Sequence, residues 1–140
     1  MAASLAASAA PAAAAAATSP RLSSIEFGRG GEQEIQVEQE YSNAEEGSVV
    51  WDASRSFLAH ITQMAESGND PIAGKRLLEI GAGTGVVGLA LARLGARSVI
   101  MTDKDSQLPL MRRNCEHNQP PCCADRCKLC EHIAPVQVLP

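Results

Sequence analysis

A chain of 140 residues is one domain at most, and a net charge of −4 with a pI near 5.3 excludes the basic face of a general nucleic-acid binder. No apolar run reaches the length needed to span a bilayer, which excludes a membrane-spanning helix. One Trp, one Tyr and two Phe are the only aromatic residues, so the position of each is informative.

Residues 1–24 are Ala-rich, low-complexity sequence interrupted by Pro11 and Pro20. With almost no large apolar side chains, such a stretch cannot bury enough surface to offset its conformational entropy, and it is expected to be a disordered tail. Its charge is confined to Arg21, a faint likeness to a plastid or mitochondrial transit segment.

Folded sequence is expected over residues 25–121. Glu34 to Gln39 alternates polar and apolar residues, the pattern of a half-buried strand. Ile25-Glu26-Phe27 would be the other arm of a hairpin and Gly28 to Gly31 its turn. From Asp52, the expected N-cap, Ala53, Phe57, Ile61, Met64 and Ala65 recur at helical spacing, with Leu58 widening the stripe. That helix should end near Ser67 to Pro71.

Leu77 to Ile80 is a short apolar run that leads into Gly81-Ala82-Gly83-Thr84-Gly85, and an apolar helix pattern follows from Val86 to Leu94. Alternate glycines between strand and helix indicate backbone with unusual dihedrals that something approaches closely. The carboxyl end of a parallel strand is where open α/β sheets bind ligands. The dinucleotide spacing G-x-G-x-x-G fails because Gly81 and Gly83 are followed by Val86 where glycine is required, and no P-loop Lys follows. A second apolar run, Ser98 to Thr102, ends at Asp103, eighteen residues beyond Gly85, where a carboxylate can accept the hydroxyls of a ribose. Asp105 to Pro109 starts a further helix with apolar residues Leu108, Leu110, Met111 and Cys115 and with Asn114 and Asn118 one turn apart. Strand, helix, strand, helix makes the two strands parallel neighbours. A third strand is faintly indicated over residues 126–131.

Residues 122–140 are expected to be an irregular Cys-rich tail. Cys123, Cys127, Cys130 and His132 offer donors for zinc, but structural sites join two separated ligand pairs, so free thiols and no metal are expected. Five cysteines at one end of a chain are no secreted disulfide framework, and a reducing compartment, the cytoplasm, is the simpler expectation.

The residues from Gln33 to Asn118 resemble the seven-strand, class I S-adenosylmethionine-dependent methyltransferases of the methyltransferase-like 21 type, which include protein-lysine methyltransferases. The resemblance rests on Val50-Trp51-Asp52, on Leu78-Glu79-Ile80-Gly81-Ala82-Gly83-Thr84-Gly85 followed by Val87-Gly88-Leu89, on Leu94-Gly95-Ala96, on Thr102-Asp103, and on Asn114 with Asn118. It implies the N-terminal half of a Rossmann-like parallel sheet, a protein lysine as methyl acceptor and S-adenosylmethionine as cofactor. It also implies that Trp51 lines the cofactor pocket, that Gly81, Ala82 and Gly83 follow the methionine part, that Glu79 supports the loop and that Asp103 holds the ribose. The cofactor carries a sulfonium cation and no phosphate, which suits acids and an aromatic face.

The chain departs from that family after Asn118. The family continues to a seventh strand and carries an acidic-x-x-aromatic motif after the fourth, whereas no Trp or Tyr follows Trp51 here. The expectation is a chain truncated after its second strand-helix unit, with no catalytic base to name and with an inactive cofactor-binding fragment as the alternative. Plainer roles stand beside the sharp ones: Trp51 as a core aromatic, Asp103 as a helix-capping acid, and His60 and His117 as surface residues.

Overall fold

A computed structural model describes residues 20–41, 46–118 and 136–139 of the chain. Along it run β1 (Arg21–Phe27), β2 (Gln33–Gln39), α1 (Asp52–Glu66), β3 (Arg76–Ile80), α2 (Val86–Arg93), β4 (Ser98–Thr102), α3 (Leu108–His117) and β5 (Val136–Leu139). β1 and β2 form an antiparallel hairpin in which Ile25 faces Ile35. β3, β4 and β5 form a parallel sheet in that order, with Leu78 beside Ile100 and Met101 beside Val138. This is the α/β architecture of half a Rossmann-like fold preceded by a hairpin.

The period-two pattern decides the hairpin. Ile25, Phe27, Ile35 and Val37 all point inward and are buried, while Glu26 and Glu34 stay in solvent. α2 and α3 lie between the hairpin and the parallel sheet, α2 touching β2 and β4 and α3 touching β2 and β5. That position explains why α2 is apolar on every side. Val86, Leu89 and Ala90 join the core under the hairpin, whereas Leu91 and Ala92 join Val99, Met101 and Met111 against the sheet. Among the described residues the opposite face of the sheet is open: Leu78 is 62% and Ile80 81% exposed.

Four expectations shift. β1 begins at Arg21, inside the stretch that composition assigned to the tail, because Leu22 to Ser24 pair with Gln36 to Glu38 and pairing outweighs low hydrophobicity. The N-cap of α1 is Trp51, not Asp52, which is already the first helical residue. The buried stripe of α1 is narrower than its spacing suggested: Leu58 and Ile61 are buried, but Ala53 and Phe57 are exposed, because the helix turns them away from the core that Leu58 joins with the hairpin. The third parallel strand is Val136–Leu139, so the last residues are not wholly irregular; the faint signal at 126–131 lies outside the described residues. The Ala-rich head before residue 20 and Cys123, Cys127, Cys130 and His132 also lie outside them. Among the described residues no helix is long and apolar enough to cross a membrane.

Candidate functional site

The bend from Gly81 to Gly85 leaves β3 at the carboxyl end of the parallel sheet and delivers the chain into α2. Three left-handed residues make it possible, with φ of 70° at Gly81, 57° at Gly83 and 78° at Gly85. Four of its five amides donate to identified partners. The N–H groups of Gly81 and Ala82 both donate to Thr102 O, at 2.9 and 3.1 Å, and that of Gly85 donates to Ala82 O at 2.8 Å. The N–H of Gly83 donates to Oδ2 of Asp103 at 2.7 Å.

Asp103 therefore stands at the mouth of the bend. Parallel pairing brings it there: Ile80 lies beside Thr102, so the residue after β4 faces the residues after β3. Its Oδ1 accepts the N–H of Lys104 at 2.8 Å, and the carboxylate is half-buried. Each oxygen keeps a further lone pair, the arrangement needed to accept two neighbouring hydroxyls.

Glu79 points from β3 toward the first turn of α2. Burial, the main cause, pushes its carboxyl up to about 7; the Gly88 amide pulls against this and the charge on Asp103 adds to it. Oε2 of Glu79 is buried without a hydrogen-bond partner, so Gly88 acts on it as a nearby dipole and closes no bond to that oxygen. A buried carboxyl with an open acceptor, beside the bend, is a group able to receive a ligand donor.

Trp51 is 56% exposed, and its Nε1 donates to Glu46 O at 2.7 Å. That bond ties the indole to the turn Glu46–Ser48, which presses on the bend: a methyl group added at Gly83 would stand 2.8 Å from Gly47 O. The structure thus gathers Glu79, Gly81, Ala82, Gly83, Gly85 and Asp103 at one sheet end, with Trp51 tethered to the turn packed on Gly83. A separate cleft of about 390 Å³ lies between the hairpin and α1, lined by Ile25, Phe27, Arg55, Leu58 and Thr62 among others, and none of the bend residues lines it.

Two features escaped the sequence reading. First, counted from Gly83 rather than Gly81, Gly83-Thr84-Gly85-Val86-Val87-Gly88 does spell G-x-G-x-x-G, so Val86 excludes the pattern in one register only. Gly88 has the packing role of that pattern's last glycine: a methyl there would stand 2.4 Å from the sulfur of Met101 and 2.7 Å from Oε2 of Glu79. Second, Asn114 and Asn118 are buried polar residues, a packing role that the sequence analysis did not assign. Their recurrence four residues apart, on the same side as Leu110 and Met111, was the available signal. His60 and His117 are exposed, the latter 3.2 Å from Glu38, and among the described residues no cluster of His, Cys, Asp or Glu could hold a metal ion.

Comparison with known proteins converges on the same stretch. The family described as lysine methyltransferase matches residues 30–129. Protein N-lysine methyltransferase METTL21A of Danio rerio is 36% identical over 86 residues, 61% of this chain and 37% of that protein. The Mus musculus protein of the same name is 37% identical over 87 residues, covering 62% and 38% respectively. EEF1A lysine methyltransferase 3 of Mus musculus is 38% identical over 81 residues, 58% of this chain and 32% of that protein. The chain thus spans well under half the length of these relatives. With its parallel sheet, glycine bend and facing acid, it belongs to the lysine methyltransferase family.

Proposed function

We propose that the chain forms the cofactor-binding part of an S-adenosylmethionine-dependent protein-lysine N-methyltransferase. The observation that carries this reading is the 2.7 Å hydrogen bond from Gly83 N–H to Asp103, which sets an acid directly across from a bend of bare peptide. Gly81 fits the methionine part of the cofactor, since no atom lies within 4 Å of where its side chain would be. Asp103 fits the ribose, accepting both hydroxyls with the lone pairs its backbone partners leave free. Glu79, with its open buried oxygen beside the first turn of α2, fits a donor on the same ligand. Trp51 fits an aromatic wall beside the sulfonium.

S-adenosylmethionine supplies an electrophilic methyl group. The residues of this chain bind and align it, so that the lysine amine need only approach along the line of the breaking bond. The relatives named above are protein lysine methyltransferases, which supports a protein lysine as acceptor. A cytoplasmic location follows from the clustered cysteines and is checked by imaging the tagged protein. The open face at Leu78 and Ile80 favours a second reading, in which this chain by itself binds cofactor without transferring methyl.

Calorimetric titration of S-adenosylmethionine into wild type and Asp103→Ala tests the site. Charge-assisted bonds to hydroxyls contribute about 1.5 to 3 kcal/mol, so the variant should bind roughly ten- to a hundredfold more weakly. Equal affinities would remove Asp103 from the site, and a wild type that binds nothing would remove the reading. Methylation of a lysine peptide library then separates transfer from binding alone.

A further inference from the structure

The amide of Asn114 is fully buried and tied to two elements at once. Oδ1 accepts the N–H of Glu38 at 2.6 Å, and Nδ2 donates to Glu38 O at 3.1 Å and to Thr84 O at 2.9 Å. Both donors are spent, and the alternation of N–H and C=O partners fixes which end of the amide is which. Asn118, one turn later, treats β2 in the same way: Oδ1 accepts the N–H of Gln36 at 3.0 Å and Nδ2 donates to Gln36 O at 2.7 Å. Its remaining donor goes to Asn114 O of its own helix, also at 2.7 Å. The two side chains therefore stand in for a neighbouring strand along β2, and they differ in one bond, the one to Thr84.

That bond falls on the weakest point of the bend. The peptide between Thr84 and Gly85 has glycines on both sides of Thr84, and Gly85 sits at a φ of 78°. Glycine adopts either sign of φ at little cost, so this peptide can turn over unless both its ends are held. Its N–H is held by Ala82 O and its C=O by Asn114. Two amides back, that of Gly83 is the one bound by Asp103.

We infer that Asn114 is a positioning residue for the cofactor bend: its amide holds the Thr84–Gly85 peptide in the orientation that keeps Gly83 and Asp103 in register. The inference rests on the proposed cofactor site, and Asn118 provides its internal control. A residue that only fastens α3 to the hairpin would act as Asn118 does; a residue that shapes the site would not.

The experiment measures two quantities in wild type, Asn114→Ala and Asn118→Ala: the hydrogen-exchange rate of the Gly85 amide by NMR, and the affinity for S-adenosylmethionine at a temperature where all three are folded. Asn114→Ala should speed Gly85 exchange at least tenfold relative to the hairpin amides and weaken binding at least tenfold. Asn118→Ala should lower the melting temperature comparably and leave both quantities within twofold of wild type. Equal changes in the two variants, or unchanged Gly85 exchange, would overturn the inference. So would faster exchange without loss of affinity. If wild type itself binds no cofactor, the functional reading fails, while the exchange comparison still decides whether Asn114 holds the bend. Should Asn114→Ala not fold, Asn114→Ser replaces it, because the shorter hydroxyl can satisfy a β2 group yet spans less of the gap to Thr84.

Discussion

The hairpin turn and the cofactor bend are both rich in glycine, and the difference between them is one of surroundings. The turn has φ of 81° at Gly28, 66° at Gly30 and 76° at Gly31, as left-handed as anything in the bend. Yet a methyl group at Gly30 would meet nothing within 4 Å, and at Gly31 only the side chain of Glu26. At Gly83 it would meet the backbone of Gly47, and at Gly85 the side chains of Met111 and Met101. The turn is shaped by its own local chain; the bend is shaped by β4, α3 and the turn before α1. Glycine content marks where a backbone is unusual, and long-range contacts show whether that shape is held for a ligand.

Alanine scanning gives that comparison its largest test. Gly30→Ala carries only the left-handed penalty, about 1 to 2 kcal/mol. Gly83→Ala adds a clash with Gly47 O, a backbone atom that cannot swing away, and should cost a further 1 to 3 kcal/mol, roughly 3 in total. Urea unfolding of the two variants measures the difference directly. Similar losses would mean that the turn before α1 yields easily and that the bend is no more constrained than the hairpin.

Much of this was legible in the sequence because the signals were local. Alternation gave β2, the apolar runs gave β3 and β4, and the placing of Asp103 followed once two short parallel strands were in adjacent register. The rest depended on partners distant in the chain. Arg21 to Ser24 look like tail until β2 pairs with them. Phe57 looks like core until the helix is seen to turn it outward. The bonding role of Asn114 does not show in the sequence because its partners, Glu38 and Thr84, lie 76 and 30 residues away. The register of the glycines is hidden for a related reason: the first glycine after the strand is the conspicuous one, whereas the close-packing position is fixed by Met101 on another element.

Acids sharpen the contrast between the two regions through pH. Glu26 and Glu34 at the hairpin lie in solvent, whereas Glu79 is buried with its carboxyl raised from 4.5 to about 7. Between those values the folded chain keeps a proton that the unfolded chain releases, so stability falls as pH rises through the window and the full penalty persists above it. A shift of this size corresponds to at most about 3 kcal/mol. Glu79→Gln cannot ionise, so it should unfold like wild type near pH 4 and be more stable by about 2 kcal/mol at pH 8, measured by urea unfolding at both. Relative to wild type, its affinity for S-adenosylmethionine should fall over the same range, because only the wild-type carboxyl ionises there and becomes the stronger acceptor. A stability difference independent of pH would show that Glu79 keeps its proton, or loses it, equally in both states.

The smallest effect should come from the ionic counterpart of Asn114. Arg113, the preceding residue of α3, reaches Glu38 at 2.9 Å and also pairs with Glu40, so it links α3 to the hairpin from the solvent side. Its side chain is 39% exposed, and exposed pairs contribute only about 0.2 to 1 kcal/mol because water and salt screen them. Arg113→Ala should therefore cost less than about 1 kcal/mol, and the cost should shrink further in 1 M salt, where the screening length is about 3 Å. Cofactor affinity should not change, since no bond from Arg113 reaches the bend. A larger, salt-insensitive loss would mean that α3 is fastened to the hairpin chiefly by charge, and Asn114 would then have to be read as part of that fastening rather than as the hold on Thr84.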